Sequence, residues 1–310
     1  MFDQEYNQII NSLKGPHSAQ SWLIVGRKGI GKKDFAQRLA HNVTHNTHSY
    51  NPNVKWIECD LTETAKKEIQ KALLAGEQVE EKEWAQKTEI TVDDIREGCR
   101  FLSLKSDARK ILIINLADEM NENAQNALLK TLEEPYPNTL ILLLCENIGH
   151  LLPTILSRCQ KLTLNPPTKS DFQTDLKCKY PSLDQDQLDL LSFLADNSIG
   201  IAEEILNLNA LDIYNDMITL LKAPDLDVTL LLNLASTLSS NQDLFSLGRQ
   251  FLLRWLEDYS KQLSLIDLEK AHEMTLLYEQ IQTTFTEIDS LNLDKKQALI
   301  SLIHKIREVL

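Results

Sequence analysis

The stretch "SWLIVGRKGIGKK" (21–33) decides the fold. Its last eight residues, Gly26 to Lys33, fit the P-loop pattern G-x-x-x-x-G-K-[ST] at seven of eight positions. "SWLIV" is a short apolar run, and the following "KKDFAQRLAHNV" spaces Phe35, Leu39 and Val43 four apart, with Ala36 and Ala40 beside them. That spacing gives one apolar face of a helix. Strand, glycine-rich turn and helix in sequence is the context in which the pattern has physical meaning. The glycines let backbone N–H groups turn toward a phosphate, a lysine adds positive charge, and the helix N-terminus adds its dipole. Gly26, Gly29, Gly31 and Lys32 are therefore the candidate nucleotide-binding residues. The eighth position departs from the pattern. A Ser or Thr there would give its hydroxyl to Mg²⁺, whereas Lys33 cannot ligate a cation and would bring a second positive charge to where the metal belongs.

Outward from the loop, short apolar runs alternate with helical periods. "VKWIEC" (54–59) predicts a second strand, and "TVDDIREGCRFLSL" (91–104) a helix capped by Thr91 or Asp93, with Ile95, Cys99, Phe101 and Leu102 inward. "KILIINLA" (110–117) reads as a strand buried on both faces. "ENAQNALLKTLEEP" (122–135) reads as a helix stopped by Pro135. "NTLILLLCEN" (138–147) and "QKLTLNPP" (160–167) predict two more buried strands. The charged segment 61–87 is expected to be a surface insertion. This alternation implies a parallel sheet covered by helices on both faces, an α/β P-loop domain. Beyond residue 170 only helical periods occur, with the best internal break at "DNSIG" (196–200). The expected domains are a P-loop core over 1–166, a small helical lid over 167–208 and an all-α domain over 209–310.

A working nucleotide hydrolase needs a carboxylate at the end of a buried strand to hold Mg²⁺, usually followed by a Glu that polarises water. The apolar run of the obvious strand is Ile111–Ile114, so the two positions fall on Asn115 and Leu116. Asp118 and Glu119 come three residues later and are expected to be turn or cap residues. The pocket thus lacks a hydroxyl and both acids. ATP could still bind without Mg²⁺ chemistry, or the loop could be closed by its own side chains.

Composition narrows the class further. Residues 1–164 hold 20 basic and 22 acidic side chains, net −2, while residues 165–310 hold 12 and 23, net −11. A C-terminal half this acidic repels phosphate backbones on average, so contact with DNA is expected through local patches or partners. No apolar run approaches the roughly 18 residues of a membrane helix, and the polar N-terminus is unlike a signal peptide, so a cytoplasmic protein is expected. Five scattered cysteines with no CxxC pair point to reduced thiols.

Together, "GRKGIGKK", "NAQNALLKTLEEPYPNTLILLLCEN" and "LLPTILSRCQ" resemble the AAA+ subunits of the bacterial clamp loader, the part of DNA polymerase III holoenzyme that opens the sliding clamp. "ALLKTLEEP" and "ILSRC", about 20 residues apart, are the specific parts. The resemblance is good over roughly residues 1–165; beyond that it rests on the order and size of a helical lid and a helical collar. It implies a subunit without its own ATPase, the alternative being an active gamma/tau-type ATPase. It also implies that Arg158 of the "SRC" motif acts in trans as an arginine finger on ATP held by a neighbouring gamma/tau subunit. The implied partners are gamma/tau and delta subunits in a hetero-pentamer, with the sliding clamp and primed DNA met through the complex. The lid helix "SIGIAEEIL" lacks the arginine that touches nucleotide in active members. Many members carry a four-cysteine zinc module before the second strand. Here only Cys59 remains, near His41, His45 and His48, and surface histidines are expected there rather than a metal site. No required cofactor is expected.

Overall fold

A computed structural model of the chain describes residues 2–14, 19–46, 51–59, 89–291 and 293–310. The expected insertion at 61–87 and His48 lie outside the described residues. Two compact units divide at Pro167 and Thr168.

In the first unit five parallel strands lie side by side in the order β2-β3-β4-β1-β5. They are β1 (Ser21–Val25), β2 (Val54–Ile57), β3 (Lys110–Ile114), β4 (Thr139–Cys145) and β5 (Gln160–Thr163). Every residue of β3 and β4 is buried, as expected for central strands covered on both faces. Successive side chains of a strand point to opposite faces. Leu112 and Ile114 accordingly join one apolar cluster, under helices α3 (Val92–Ser103) and α4 (Glu122–Glu133), while Ile111 and Ile113 join the other, under α1 (Asp3–Ser12) and α2 (Lys32–Thr44). The sequence predicts a buried β5, and here the structure differs. β5 pairs only with β1 at the sheet edge, so Gln160, Lys161 and Thr163 are exposed and Leu162 alone turns inward. The strand read from "VKWIEC" is also shorter, ending at Ile57.

The register sets the position of the site. Val25 lies opposite Cys145, Ile57 opposite Ile114, and Ile114 opposite Leu143. The residues that leave these strands, Gly26, Glu58, Asn115 and Glu146, therefore gather along the carboxyl edge of the sheet, where parallel α/β sheets form their ligand crevice.

The second unit is all helical among the described residues, from α6 (Lys169–Lys179) through α7 (Gln185–Ala195), α8 (Ile199–Asn207), α9 (Ala210–Lys222), α10 (Val228–Ser239), α11 (Gln242–Leu263) and α12 (Leu268–Leu291) to α13 (Lys295–Val309). Side-chain caps punctuate it: Thr168, Asp184, Asp227, Asn241 and Asp294 each accept a backbone N–H of the helix they begin. The break at 196–200 is a sharp turn in which Asp196 and Asn197 both take positive φ. Arg254 of α11 donates to Asp196 at 2.9 Å, and Gln250 donates to the Leu194 carbonyl at 3.1 Å. The position 208/209 falls inside one continuous apolar cluster that runs from Phe172 to Ile306.

Candidate nucleotide pocket and arginine surface

The turn from β1 to α2 has the backbone a P-loop requires. Gly29 has φ 71° and Gly31 φ 97°, a region L side chains rarely adopt. Gly26 is needed for a different reason. A Cβ there would come within 3.0 Å of Ile30 Cγ2 and 3.2 Å of the Leu164 carbonyl oxygen.

The two lysines that begin α2 have partners within the chain. Lys32 is only 6% exposed, and its Nζ donates to the carbonyls of Gly26 at 2.7 Å and Arg27 at 3.0 Å and to Glu146 Oε1 at 3.0 Å. Lys33 turns toward the end of β2. Its Nζ meets Glu58 Oε2 at 2.8 Å and lies 5.7 Å from the centre of the Trp56 ring. The same Glu58 oxygen accepts from Asn115 Nδ2 at 3.1 Å. Lys33, Glu58 and Asn115 thus form one cluster on the side of the pocket where a metal-holding acid and a hydroxyl would be needed.

Asn115 and Leu116 follow β3 directly. The Asn115 N–H donates to the Ile57 carbonyl at 2.8 Å and prolongs the ladder, and Leu116 then takes a left-handed conformation with φ 56°. Asp118 and Glu119 lie in the short 3-10 turn after it. Asp118 has a definite task there. Its carboxylate accepts the backbone N–H of Asn147 at 2.7 Å and that of Glu146 at 3.2 Å, fixing the chain where it leaves β4. These residues do not fit a Mg²⁺-nucleotide. The strand-end position holds an amide, the hydroxyl position holds a lysine already paired, and the P-loop ammonium has three internal acceptors. Among the described residues no group of three or more His, Cys, Asp or Glu could hold a metal ion. His41 lies in the last turn of α2 and His45 is its C-cap.

Arg158 is placed differently. It follows the one-turn helix α5 (Pro153–Leu156), just before β5. Its Nη1 donates to the Thr154 carbonyl at 2.9 Å and Ser157 Oγ at 3.2 Å, and its Nη2 pairs with Glu133 Oε1 of α4 at 2.5 Å. The Arg158 side chain is 32% exposed and that of Glu133 49%, so the pair sits at the surface. Beneath it, Gln125 of α4 is buried and ties the segment to the helix. Its amide nitrogen donates to the carbonyls of Met120 and His150, both at 3.0 Å, and its oxygen accepts the Leu152 N–H at 2.7 Å.

All five cysteines are thiols rather than disulfides. Burial pushes Cys145 and Cys159 up to about 12, and the carboxylates of Asp118 and Glu146 add to the shift at Cys145.

The parallel sheet, the loop and the following helical unit define a P-loop domain of AAA+ type. A gamma subunit-related DNA polymerase III protein of Thermotoga maritima shares this fold along 99% of both chains, with a TM-score of 0.51 at 20% identity. The chain belongs to the family described as "DNA polymerase III, delta subunit", whose model matches residues 2–168. It is delta-prime-like: it is 30% identical over 158 residues to DNA polymerase III subunit delta' of Bacillus subtilis (51% of this chain, 46% of that one), and 35% identical over 149 residues to the subunit of the same name from Pseudomonas aeruginosa (46% and 42%). The matched stretches thus span somewhat under half the length of these curated relatives.

The structure brings Gly26, Gly29, Gly31 and Lys32 into one loop and puts Asn115 beside it. Sequence reasoning missed Glu58, Glu146 and Gln125. The first two had a readable signal, since each is an acid directly after a strand of a parallel sheet, but attention to β3 alone passed them by. Gln125 stands on the inward face of α4 between Ala124 and Leu128, where a polar residue signals a buried hydrogen-bond network.

Proposed function

We propose that this chain is a delta-prime-like subunit of a bacterial DNA polymerase III clamp loader, without an ATPase of its own, which supplies Arg158 in trans to ATP held by a gamma/tau subunit. The observation that carries this reading is the contrast between two cations of one domain. Both are bonded within the chain, but Lys32 is buried with acceptors for all three of its N–H donors, whereas Arg158 stands at the surface and its contacts engage only three of its five.

The chemistry follows from the geometry. An arginine has five N–H donors in a rigid plane. The Thr154 carbonyl, the Ser157 hydroxyl and the Glu133 carboxylate engage three of them and fix the orientation of that plane. A group held in this way can stabilise charge on a transferring phosphoryl group without reorganising as the charge develops. In the chain's own pocket Asn115 carries no charge to hold Mg²⁺, and Lys33 offers no hydroxyl. ATP is therefore not required here as a cofactor. The subunit works in the cytoplasm within a hetero-pentamer that includes gamma/tau and delta, and it meets the sliding clamp and primed DNA through that complex.

The test is assembly and turnover. The chain mixed with gamma/tau and delta subunits should elute as one complex, and the purified chain alone should hydrolyse no ATP. Separate elution, or turnover by the chain alone that Lys32→Gln abolishes, would contradict the proposal. The second outcome would favour a gamma/tau-type ATPase, the one alternative that the retained Lys32 supports.

A further inference from the structure

An ammonium group has three N–H donors. Those of Lys32 have three acceptors within bonding distance: two carbonyls of its own loop and the carboxylate of Glu146, at 3.0 Å. Glu146 comes from the strand next to the P-loop's own, directly after β4, whose last residue Cys145 accepts the Gly26 N–H at 3.1 Å, and it is held there by its backbone. Its N–H and that of Asn147 both donate to Asp118. The carboxylate is thus delivered to Lys32 from a fixed point, and its side chain is 32% exposed where that of Lys32 is buried.

We propose that Glu146 is a resident counter-ion that holds the P-loop closed to polyphosphate. A phosphate approaching Lys32 meets a donor already taken. Once displaced, the carboxylate stays on its tethered backbone as a like charge beside the incoming anion. A second carboxylate on the same edge, Glu58, pairs with Lys33 at the exposed surface. The inference deepens the reading that this chain's own pocket performs no chemistry, and it does not depend on Arg158.

The experiment uses the full chain and inorganic tripolyphosphate, titrated calorimetrically at low salt without Mg²⁺. The proteins are the natural chain, Glu146→Gln, Glu146→Ala, and Glu146→Gln combined with Lys32→Gln, each first shown to melt cooperatively. Glu146→Gln keeps the shape and removes the charge. It should bind at least about fivefold more tightly than the natural chain, the effect of one unit charge at about 4 Å even in a water-like dielectric. Adding Lys32→Gln should abolish the gain. If Glu146→Gln does not fold, Glu146→Ala decides the matter by the same criterion. Affinity unchanged in the folded Glu146 variants, or a gain that survives Lys32→Gln, would overturn the proposal. Turnover in an assembled complex is not measured in this titration, so either result leaves the role of Arg158 standing.

Discussion

Single residues at the carboxyl edge of the sheet differ in function because of what faces them. Lys32 and Lys33 are adjacent cations with different carboxylate partners, Glu146 and Glu58. The thiols on this unit show the same dependence on surroundings. Thiolates are the reactive form, and Cys145 and Cys159 are held neutral with values near 12 against an ordinary 9.0. At pH 8 a maleimide should therefore label exposed Cys178 rapidly in the native protein, half-buried Cys159 slowly, and Cys145 only after unfolding; rapid native labelling of Cys145 would contradict its environment. The sign of the linked stability follows. Below about pH 9 both states carry neutral thiols and the full stability is present. As the pH rises toward about 12 the unfolded chain ionises first, so stability is lost across that window, which urea unfolding at stepped pH would follow. Much of this scale was legible in the sequence. The places of Lys33 at the start of α2 and of Asn115 and Leu116 directly after β3 were readable from spacing alone. The partners of Lys32 and Lys33 were not, because Glu146 lies 114 residues from Lys32 and Glu58 lies 25 from Lys33, and nothing in the chain's order links them.

At the scale of elements, a buried amide joins α4 to the segment leading to Arg158, beside their apolar packing and the Arg158–Glu133 pair. Gln125→Ala would strand the Leu152 N–H and remove a donor from two carbonyls. An unpartnered buried polar group costs about 1–3 kcal/mol, so the whole change should cost about 3 kcal/mol. It would be seen as a lower urea midpoint with an unchanged slope; a midpoint within error of the natural protein would show that the network contributes nothing. The central strands were plain in the sequence because "ILII" and "LILLLC" are apolar throughout. Thr91 also proved to be the cap of α3, in a capping box with Asp94. Helices α1, α6 and α9 were not singled out. The stretch "KSDFQTDLKCK" of α6 buries only Phe172 and Leu176, too few apolar residues to show a period. The exposure of β5 could not be read either, because an edge position depends on strand order, which the apolar pattern does not encode.

For the whole molecule, the chain divides into two compact units. The first unit holds the pocket and Arg158 around its parallel sheet, and the second is built on one helical core from Phe172 to Ile306. No described helix is long and apolar enough to cross a membrane. The family and the fold were legible in the sequence because the P-loop, "ALLKTLEEP" and "ILSRC" are local motifs. The proposed action in an assembly rests on resemblance, since no local motif can show that an arginine reaches a nucleotide held by another chain. The most direct test is therefore made in the assembly. DNA-stimulated ATP hydrolysis is measured in a single turnover with complexes that differ only by Arg158→Ala, after equal assembly has been shown by gel filtration. The prediction is that the nucleotide facing this subunit loses about a thousandfold or more in rate, the scale of an arginine finger, while the other sites keep theirs, so that one phase of the burst disappears. An unchanged burst from a fully assembled Arg158→Ala complex would contradict the account.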